Sequence, residues 1–445
     1  MIPLNVSLSH YKRSDVREEI IANSKDREVV AKFNENFSKR PDILRHQSDV
    51  LELAKQGATS FHASEELWRN ALQIDTSLKR HELDNLRIGW DLVIDIDCVV
   101  FEYSKIAADL VVKFLRFNGV NSISCKFSGN KGFHIGVPFE AFPEKVRNEE
   151  IKKNFPDAPK RVALYIKAMI LPEFSKRLLE HESGNLNSII EKAGKKYSEI
   201  IEDGKEGKKL NSEPILQMDT LLISPRHLYR MPYSLHEKSG LVSTPLNPDK
   251  VLMFRKEFAI PKNVRISKHR FLDKTNVEKD EAKRLFVEAF DYTAKQEIVK
   301  AEGRKEFEAP HDALPEELFP PCVKLILNGL EDGKKRALFI LVNYFTSIGW
   351  GYDAIEKKLI EWNAKNIPPL RDVNLLGQIR YHKQMKKRIL PPNCSNEMYM
   401  VGIGVCKPDS FCAKIKNPAQ YTTKKAWMMN KGKSGKSRNK TEIVK

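Results

Sequence analysis

The sequence predicts a mixed α/β (α+β) fold: a first domain of paired β-sheets with flanking helices, followed by a mostly α-helical domain. Three observations carry this. The tract WDLVIDIDCVVF (Trp90 to Phe101) is short, β-branched and sized for one buried strand. Two further runs, ISCKF (Ile123 to Phe127) and FHIGVPF (Phe133 to Phe139), flank the glycine-containing turn SGNKG, which is the spacing of a hairpin. The last third shows helical stretches instead, such as Ala337 to Phe345, broken by proline-rich loops that carry cysteines.

In chain order, residues 1–90 read as mostly helical, and Phe101 to Phe117 returns to helix after the first strand. Residues 140–210 read as helical and highly charged, with GKEGKK (Gly204 to Lys209) as an exposed loop. EPILQMDTLLI (Glu213 to Ile223) reads as a strand leading into SPRHLYRMPYSLHEKSGL (Ser224 to Leu241). The first domain is therefore expected over 1–255, and 256–318 as a polar helical connector. Thr275 and Glu278 have capping-box spacing for a helix toward Lys300. The second domain is expected over 319–421 and a basic, disordered tail over 422–445.

The 445 residues are 41% hydrophobic and 30% charged, which suits a folded chain and excludes wholesale disorder. No apolar run reaches the ~18–20 residues that span a bilayer, and the N-terminus lacks a secretory signal, so an intracellular (cytoplasmic) protein with no membrane partner is expected. A net charge of +17 points to nucleic acid or nucleotide phosphates, with a solvated Lys-rich surface as the competing account.

Three elements carry chemistry. Asp95 and Asp97 lie two residues apart on the predicted strand, so both side chains leave one face while Ile94 and Ile96 enter a core. Two close carboxylates repel unless a cation lies between them, and hard divalent ions favour such oxygens; two solvated aspartates are the bland alternative. In the turn, Gly129 and Gly132 permit φ > 0, Ser128 supplies a hydroxyl, Lys131 a cation and His134 a donor, which suits a phosphate as well as an ordinary hairpin. Asp219 is followed by Arg226, His227, Arg230, His236 and Lys238, a basic density that suits a triphosphate or a charged surface loop.

The order of SFHASEELWRN (Ser60 to Asn70), GWDLVIDIDC (Gly89 to Cys98), KFSGNKGFHIGVPF (Lys126 to Phe139) and MDTLLISPRHLYRMPYSLHEKSGL (Met218 to Leu241) resembles the catalytic small subunit of archaeal and eukaryotic-type DNA primases over roughly 8–250. The resemblance implies that Asp95, Asp97 and Asp219 hold two Mg²⁺ or Mn²⁺ ions. It also assigns Ser128, Gly129, Lys131, His134, Arg230 and His236 to the incoming nucleotide. Two departures stand out: Asn130 replaces a basic residue that many relatives carry, and 135–218 lack the cysteines of a zinc-binding knob.

Of the six cysteines, Cys98 and Cys125 fall in strand-like runs and read as core. Cys322, Cys394, Cys406 and Cys412 lack close CxxC pairs; eleven residues separate the second and third and five the last two. Spacing alone leaves a cluster, zinc and unlinked cysteines open. FPPCVKLIL (Phe319 to Leu327), LLGQIRYHKQ (Leu375 to Gln384) and PPNCSNEMYMVGIGVCKPDSFCAKIKNPAQY (Pro391 to Tyr421) resemble the C-terminal domain of the primase large subunit, which implies a [4Fe–4S] cluster on those four cysteines. Together the two resemblances imply a primase with both halves in one chain and no need of a separate large subunit. It would start primers de novo on single-stranded DNA from NTPs or dNTPs, alongside replication proteins. Lys334, Lys335 and Arg336 are candidate template contacts, with a solvated helix face as the alternative. A primase-superfamily polymerase that extends primers or fills gaps, and a non-catalytic Fe–S nucleic-acid-binding protein, are the competing readings. GKSGKS (Gly432 to Ser437) lacks the preceding strand and the first glycine of a phosphate-binding loop and is set aside.

Overall fold

The computed structural model describes residues 2–33, 36–75, 78–146, 148–204, 207–218, 224–302, 309–310, 312–384 and 389–437. The chain divides into two compact units, Met1–Gly303 and Arg304–Lys445. No helix among the described residues is long and apolar enough to cross a membrane.

The first unit opens with α1 (Leu4–Tyr11), α2 (Ser14–Ser24), β1 (Val29–Phe33), β2 (Asn36–Phe37), α3 (Gln47–Lys55), β3 (Ser60–Ser64), β4 (Glu66–Trp68), α4 (Arg80–Leu86) and β5 (Arg87–Trp90). It continues with β6 (Leu92–Ile96), α5 (Phe101–Phe117), β7 (Ser124–Phe127), β8 (Phe133–Val137), β9 (Lys145–Val146) and β10 (Glu149–Glu150). Then come α6 (Asp157–His181), α7 (Leu186–Ala193), α8 (Tyr197–Ile200), β11 (Ile201–Gly204), β12 (Gly207–Leu210), β13 (Leu228–Arg230), β14 (Pro245–Leu246) and α9 (Lys283–Glu302).

Two antiparallel four-stranded sheets organise this unit, in the orders β13-β3-β1-β2 and β14-β7-β8-β6. Alternation along β6 shows how they cooperate, because successive side chains leave opposite faces of a strand. Leu92, Ile94 and Ile96 enter one core with α5, α6 and α9, whereas Val93 enters a second core with Phe61 and Ala63 of β3 and Tyr229 of β13. The same period puts Cys125 and Phe127 of β7, and Phe133, Ile135 and Val137 of β8, into the first core. The predicted strand at Asp95, the hairpin of β7 and β8, and the core placement of Cys98 and Cys125 all hold.

Arg27 and Asp91 tie the sheets together, with side chains 3% and 0% exposed. Arg27 donates to the Asp91 carboxylate and, at 2.8 Å, to the Ser64 carbonyl at the end of β3. The other Asp91 oxygen accepts from the Phe139 N–H, just beyond β8, at 2.7 Å.

Several expected elements differ. Residues 1–90 carry strands β1 to β5 as well as helices, because VVAKF and SFHAS are largely buried and show no polar alternation to mark them. The expected loop Gly204 to Lys209 falls largely within the paired strands β11 and β12. Of the expected strand Glu213 to Ile223, residues 213–217 form a turn on Ser212, where Pro214 interrupts the run, Met218 makes a bridge to Ile96, and 219–223 lie outside the described residues. Thr275 bonds Asp273 instead of capping a helix, and α9 begins at Lys283. Ala282, Leu285, Phe286 and Ala289 pack into the first core, so residues 256–302 belong to the first unit and its boundary lies at 303, not 255. They are not a free connector.

The second unit is helical, as expected: α10 (Pro321–Leu327), α11 (Lys334–Ser347), α12 (Tyr352–Ala364), α13 (Asp372–Gln384) and α14 (Pro418–Ser437) surround Leu341, Tyr344, Phe345 and Trp362. The basic tail expected to be disordered from 422 continues α14 as far as Ser437; residues 438–445 lie outside the described residues. Ala419 and Thr422 anchor that helix in the core, with Thr422 bonded to the Tyr344 hydroxyl at 2.7 Å.

Asp91→Ala leaves the Arg27 guanidinium buried without its counter-charge. Chemical denaturation followed on the first unit is expected to show a loss of about 3–5 kcal/mol.

Candidate active site

Register brings three polar residues into one row on the inner face of the second sheet. Asp95 on β6 lies opposite His134 on β8, and His134 opposite Lys126 on β7. His134 Nε2 lies 3.4 Å from Asp95 Oδ1, and Lys126 Nζ lies 2.8 Å from His134 Nδ1. Burial, reinforced by Lys126 and Arg230, pushes the His134 pKa well below its usual value, so the imidazole is neutral. Lys126, fully buried, is likewise pushed well down, first by burial and then by Arg230.

The turn between β7 and β8 closes on itself through Ser128 N–H to the Gly132 carbonyl (2.9 Å) and Gly132 N–H to Ser128 Oγ (3.3 Å). Gly129 adopts φ +102°, as expected, and a Cβ there would stand 2.8 Å from His236 Cβ. Gly132 is needed for a different reason than expected: its φ is not positive, but a Cβ would lie 1.8 Å from the Ile96 carbonyl oxygen. Ser128 and Asn130 line the cleft, while Lys131 is exposed and acts on Asp97 through its charge.

The first sheet supplies the facing wall. Arg230 on β13 lies opposite His62 on β3, and Phe61 and Ala63 enter the core, which turns His62 toward the cleft. Arg230 donates to the Leu235 carbonyl and to Glu237 Oε2, both at 2.7 Å. Glu237 also takes hydrogen bonds from Ser60 and, at 3.4 Å, from His62. Burial alone would raise the Glu237 carboxyl, but the His62 hydrogen bond, the Arg230 charge and bond, and the Ser60 hydroxyl hold it far below the carboxylate range. Burial lowers His62 and His236 to about 4 each. The Lys238 N–H donates to His236 Nδ1 at 3.2 Å, which leaves Nε2–H as the donor of that ring. His227 Nδ1 pairs with Glu65 Oε1 at 2.9 Å.

These walls enclose a cleft of about 240 Å³ that brings together Asp95, Asp97, Ser128, His134, Arg230 and His236. Asp219 lies outside the described residues. Burial raises the Asp97 carboxyl, offset in part by Lys131 and Lys256, and its Oδ1 is buried without a hydrogen-bond partner among the described residues. An orphaned carboxylate oxygen beside a second carboxylate fits a divalent cation. The sequence pattern gave no role to His62, Glu65 or Glu237, although all three lie within the stretches that carry the resemblance, and it placed His227 only in the basic run after Asp219.

In the second unit, Cys322 sits in α10, and Cys394, Cys406 and Cys412 follow in loops and a short turn. Burial and the neighbouring thiols of Cys394, Cys412 and Cys406 push Cys322 up to about 12. Cys394 is raised by burial and by Cys412 and Cys406. The four are therefore electrostatic neighbours, and all are free thiols. Among the described residues no three His, Cys, Asp or Glu side chains are grouped to hold a single metal ion. Lys334 and Arg336 hold the Ile367 and Met398 carbonyls at 3.1 and 2.8 Å, while Lys335 is exposed.

The fold and the cleft define a two-sheet α/β protein with paired carboxylates set among phosphate-suited donors. The DNA primase small subunit family matches residues 95–248, so that segment is of primase type. The DNA primase large subunit PriL of Thermococcus kodakarensis is 26% identical over 179 residues, covering 32% of this chain and 44% of that protein. An uncharacterized protein of Methanocaldococcus jannaschii is 40% identical over 74 residues, covering 16% of this chain and 17% of that protein. The chain thus spans less than half the length of either relative. The polymerase domain of Mycobacterium tuberculosis ligase D, solved in complex with DNA, is 16% identical with a TM-score of 0.33, covering 57% of this chain and 86% of that one.

The Glu237 cluster sets a pH dependence. A depressed carboxyl stabilises the fold fully above the ordinary value of 4.5 and loses that contribution as pH falls below it. Urea unfolding of wild type and Glu237→Gln between about pH 6 and about pH 3 is expected to show a flatter acid limb in the variant.

Proposed function

We propose that this chain is a DNA primase that joins nucleoside triphosphates on a single-stranded DNA template by two-metal nucleotidyl transfer. The observation that carries the reading is the convergence of Asp95, Asp97, Ser128, His134, Arg230 and His236 in one cleft. Asp95, Asp97 and Asp219 would hold two Mg²⁺ or Mn²⁺ ions. Such ions lower the pKa of an attacking 3′-hydroxyl and stabilise departing pyrophosphate. Phosphoryl transfer depends chiefly on positioning and charge neutralisation, which falls to the protein's own donors. The Arg230 guanidinium and the His236 Nε2–H would bind the triphosphate, and the Ser128 turn would cradle it. The +17 charge favours a polyanionic template.

In the second unit, Cys322, Cys394, Cys406 and Cys412 would hold a [4Fe–4S] cluster. The charges of Cys394, Cys412 and Cys406 all raise the Cys322 thiol, which suits four thiolates around one cluster. The reading gives this unit the task of holding the first nucleotide and template together during de novo initiation, with both halves in one polypeptide.

Asp95→Ala with Asp97→Ala is expected to abolish metal-dependent incorporation of labelled ATP or dATP on primer-free single-stranded DNA while DNA binding persists. Retained synthesis would remove the catalytic assignment, and synthesis only from an added primer would favour an extending polymerase. Anaerobically purified protein is expected to carry about four irons per chain with broad visible absorbance; zinc in their place would overturn the cluster.

A further inference from the structure

Next to the carboxylate end of β6 the surface carries an apolar and cationic shelf that does not line the cleft. Val99, two residues past Asp97, is 46% exposed, and Met253 and Phe258 are 71% and 53% exposed. The local fold turns these side chains outward. Residues 248–259 run as two tight helical turns, Pro248–Met253 and Lys256–Ala259, and Val251, Phe254 and Ala259 enter the first core. Their neighbours Met253, Arg255 and Phe258 are left on the surface. Lys105 of α5 pins the segment by donating to the Leu252 carbonyl at 3.1 Å. Rings then link it to the start of α5, with Phe258 6.0 Å from Phe254 and Phe254 6.5 Å from Phe101. Lys256 lies 4.7 Å from the Phe101 ring centre, and its charge reaches Asp97. Asp249 is taken up by Arg116 at 3.0 Å, so the segment's remaining charge is Lys250, Arg255 and Lys256 against Glu257.

We propose that this shelf binds the unpaired template strand beside the carboxylates. Bases stack on Phe258 and rest against Met253 and Val99, while phosphates meet Lys250, Arg255 and Lys256. Exposed apolar side chains set among cations match a polymer whose flat ring faces alternate with anionic links. A duplex matches it poorly, because its ring faces are already stacked on one another and only phosphates, sugars and base edges remain to touch. Lys256 joins the shelf to Asp97, so a strand lying there is continuous with the carboxylate site. Calling that strand a template rests on the primase reading; the affinity for unpaired DNA does not.

The test separates the two. Full-length protein carrying Phe258→p-benzoylphenylalanine is irradiated with labelled single-stranded DNA of about 16 nucleotides, or with the same strand annealed to its complement. A DNA adduct with the single strand and little with the duplex is expected. No adduct, an equal adduct with duplex, or an adduct to protein in place of DNA overturns the proposal. Phe117→p-benzoylphenylalanine, 73% exposed and about 24 Å along α5 from Phe101, is expected to give none. Equal labelling there makes the contact unspecific and also overturns it. In metal-dependent incorporation, Phe258→Ala is expected to raise the KM for template about tenfold and the KM for nucleotide far less, with Phe258→Trp close to wild type. A template KM unchanged by alanine, or raised equally by tryptophan, overturns the stacking role. Lys250→Gln with Arg255→Gln is expected to flatten the log–log salt dependence of single-strand binding by about 1.4, and an unchanged slope overturns the phosphate contacts. Absence of incorporation by the wild-type protein, with the adduct as expected, would count against the primase reading and leave the surface for unpaired DNA standing.

Discussion

The buried pair of Arg27 and Asp91 is the interaction on which the first unit turns. Arg27 reaches the end of β3 in one sheet, and Asp91 reaches the residue after β8 in the other. Its value lies less in attraction, which the cost of stripping water from both charges largely offsets, than in what it forbids. Neither sheet can slide without leaving a charge stranded in the interior. The cleft needs that restraint, because its walls come from different sheets and from positions far apart in sequence. His62 and Arg230 stand on one side, and Asp95 and His134 on the other.

Within the walls, charge is rationed. His62, His134 and His236 are all kept neutral by burial, so three imidazoles contribute hydrogen bonds without adding positive charge. Arg230 supplies fixed positive charge on this wall, and Glu237 holds that guanidinium in place while partly neutralising it. A site arranged this way presents directed donors to an anion.

How much of this was legible in the sequence follows from locality. The β-branched run around Asp95 and the glycine turn declare themselves because strand period and turn chemistry act over a few residues. The helical second unit did so for the same reason. The strands VVAKF and SFHAS did not, since burial of almost every side chain removes the alternation that marks a half-exposed strand. The packing of α9 on α6 was hidden because polar residues such as Arg161 and Glu288 bond across that junction, to Thr293 and Tyr165, and make a docked helix look like a linker. The His62–Glu237 contact joins residues 175 positions apart, and no local pattern announces it. Lys126 looked like any lysine on a strand; only register shows that it backs His134.

The near-contact at Gly132 has a mechanical consequence. With only a hydrogen where a methyl would meet the Ile96 carbonyl, the turn around Ser128 is seated directly on the strand end that bears Asp95 and Asp97. Carboxylates and turn therefore behave as one stiff floor, with no slack between them to absorb a larger or smaller guest. Accommodation of guests of different shape falls to the opposite wall, where His62 and Arg230 ride on a separate sheet. Discrimination between guests is thus assigned to the half of the cleft that holds no metal-suited carboxylate pair.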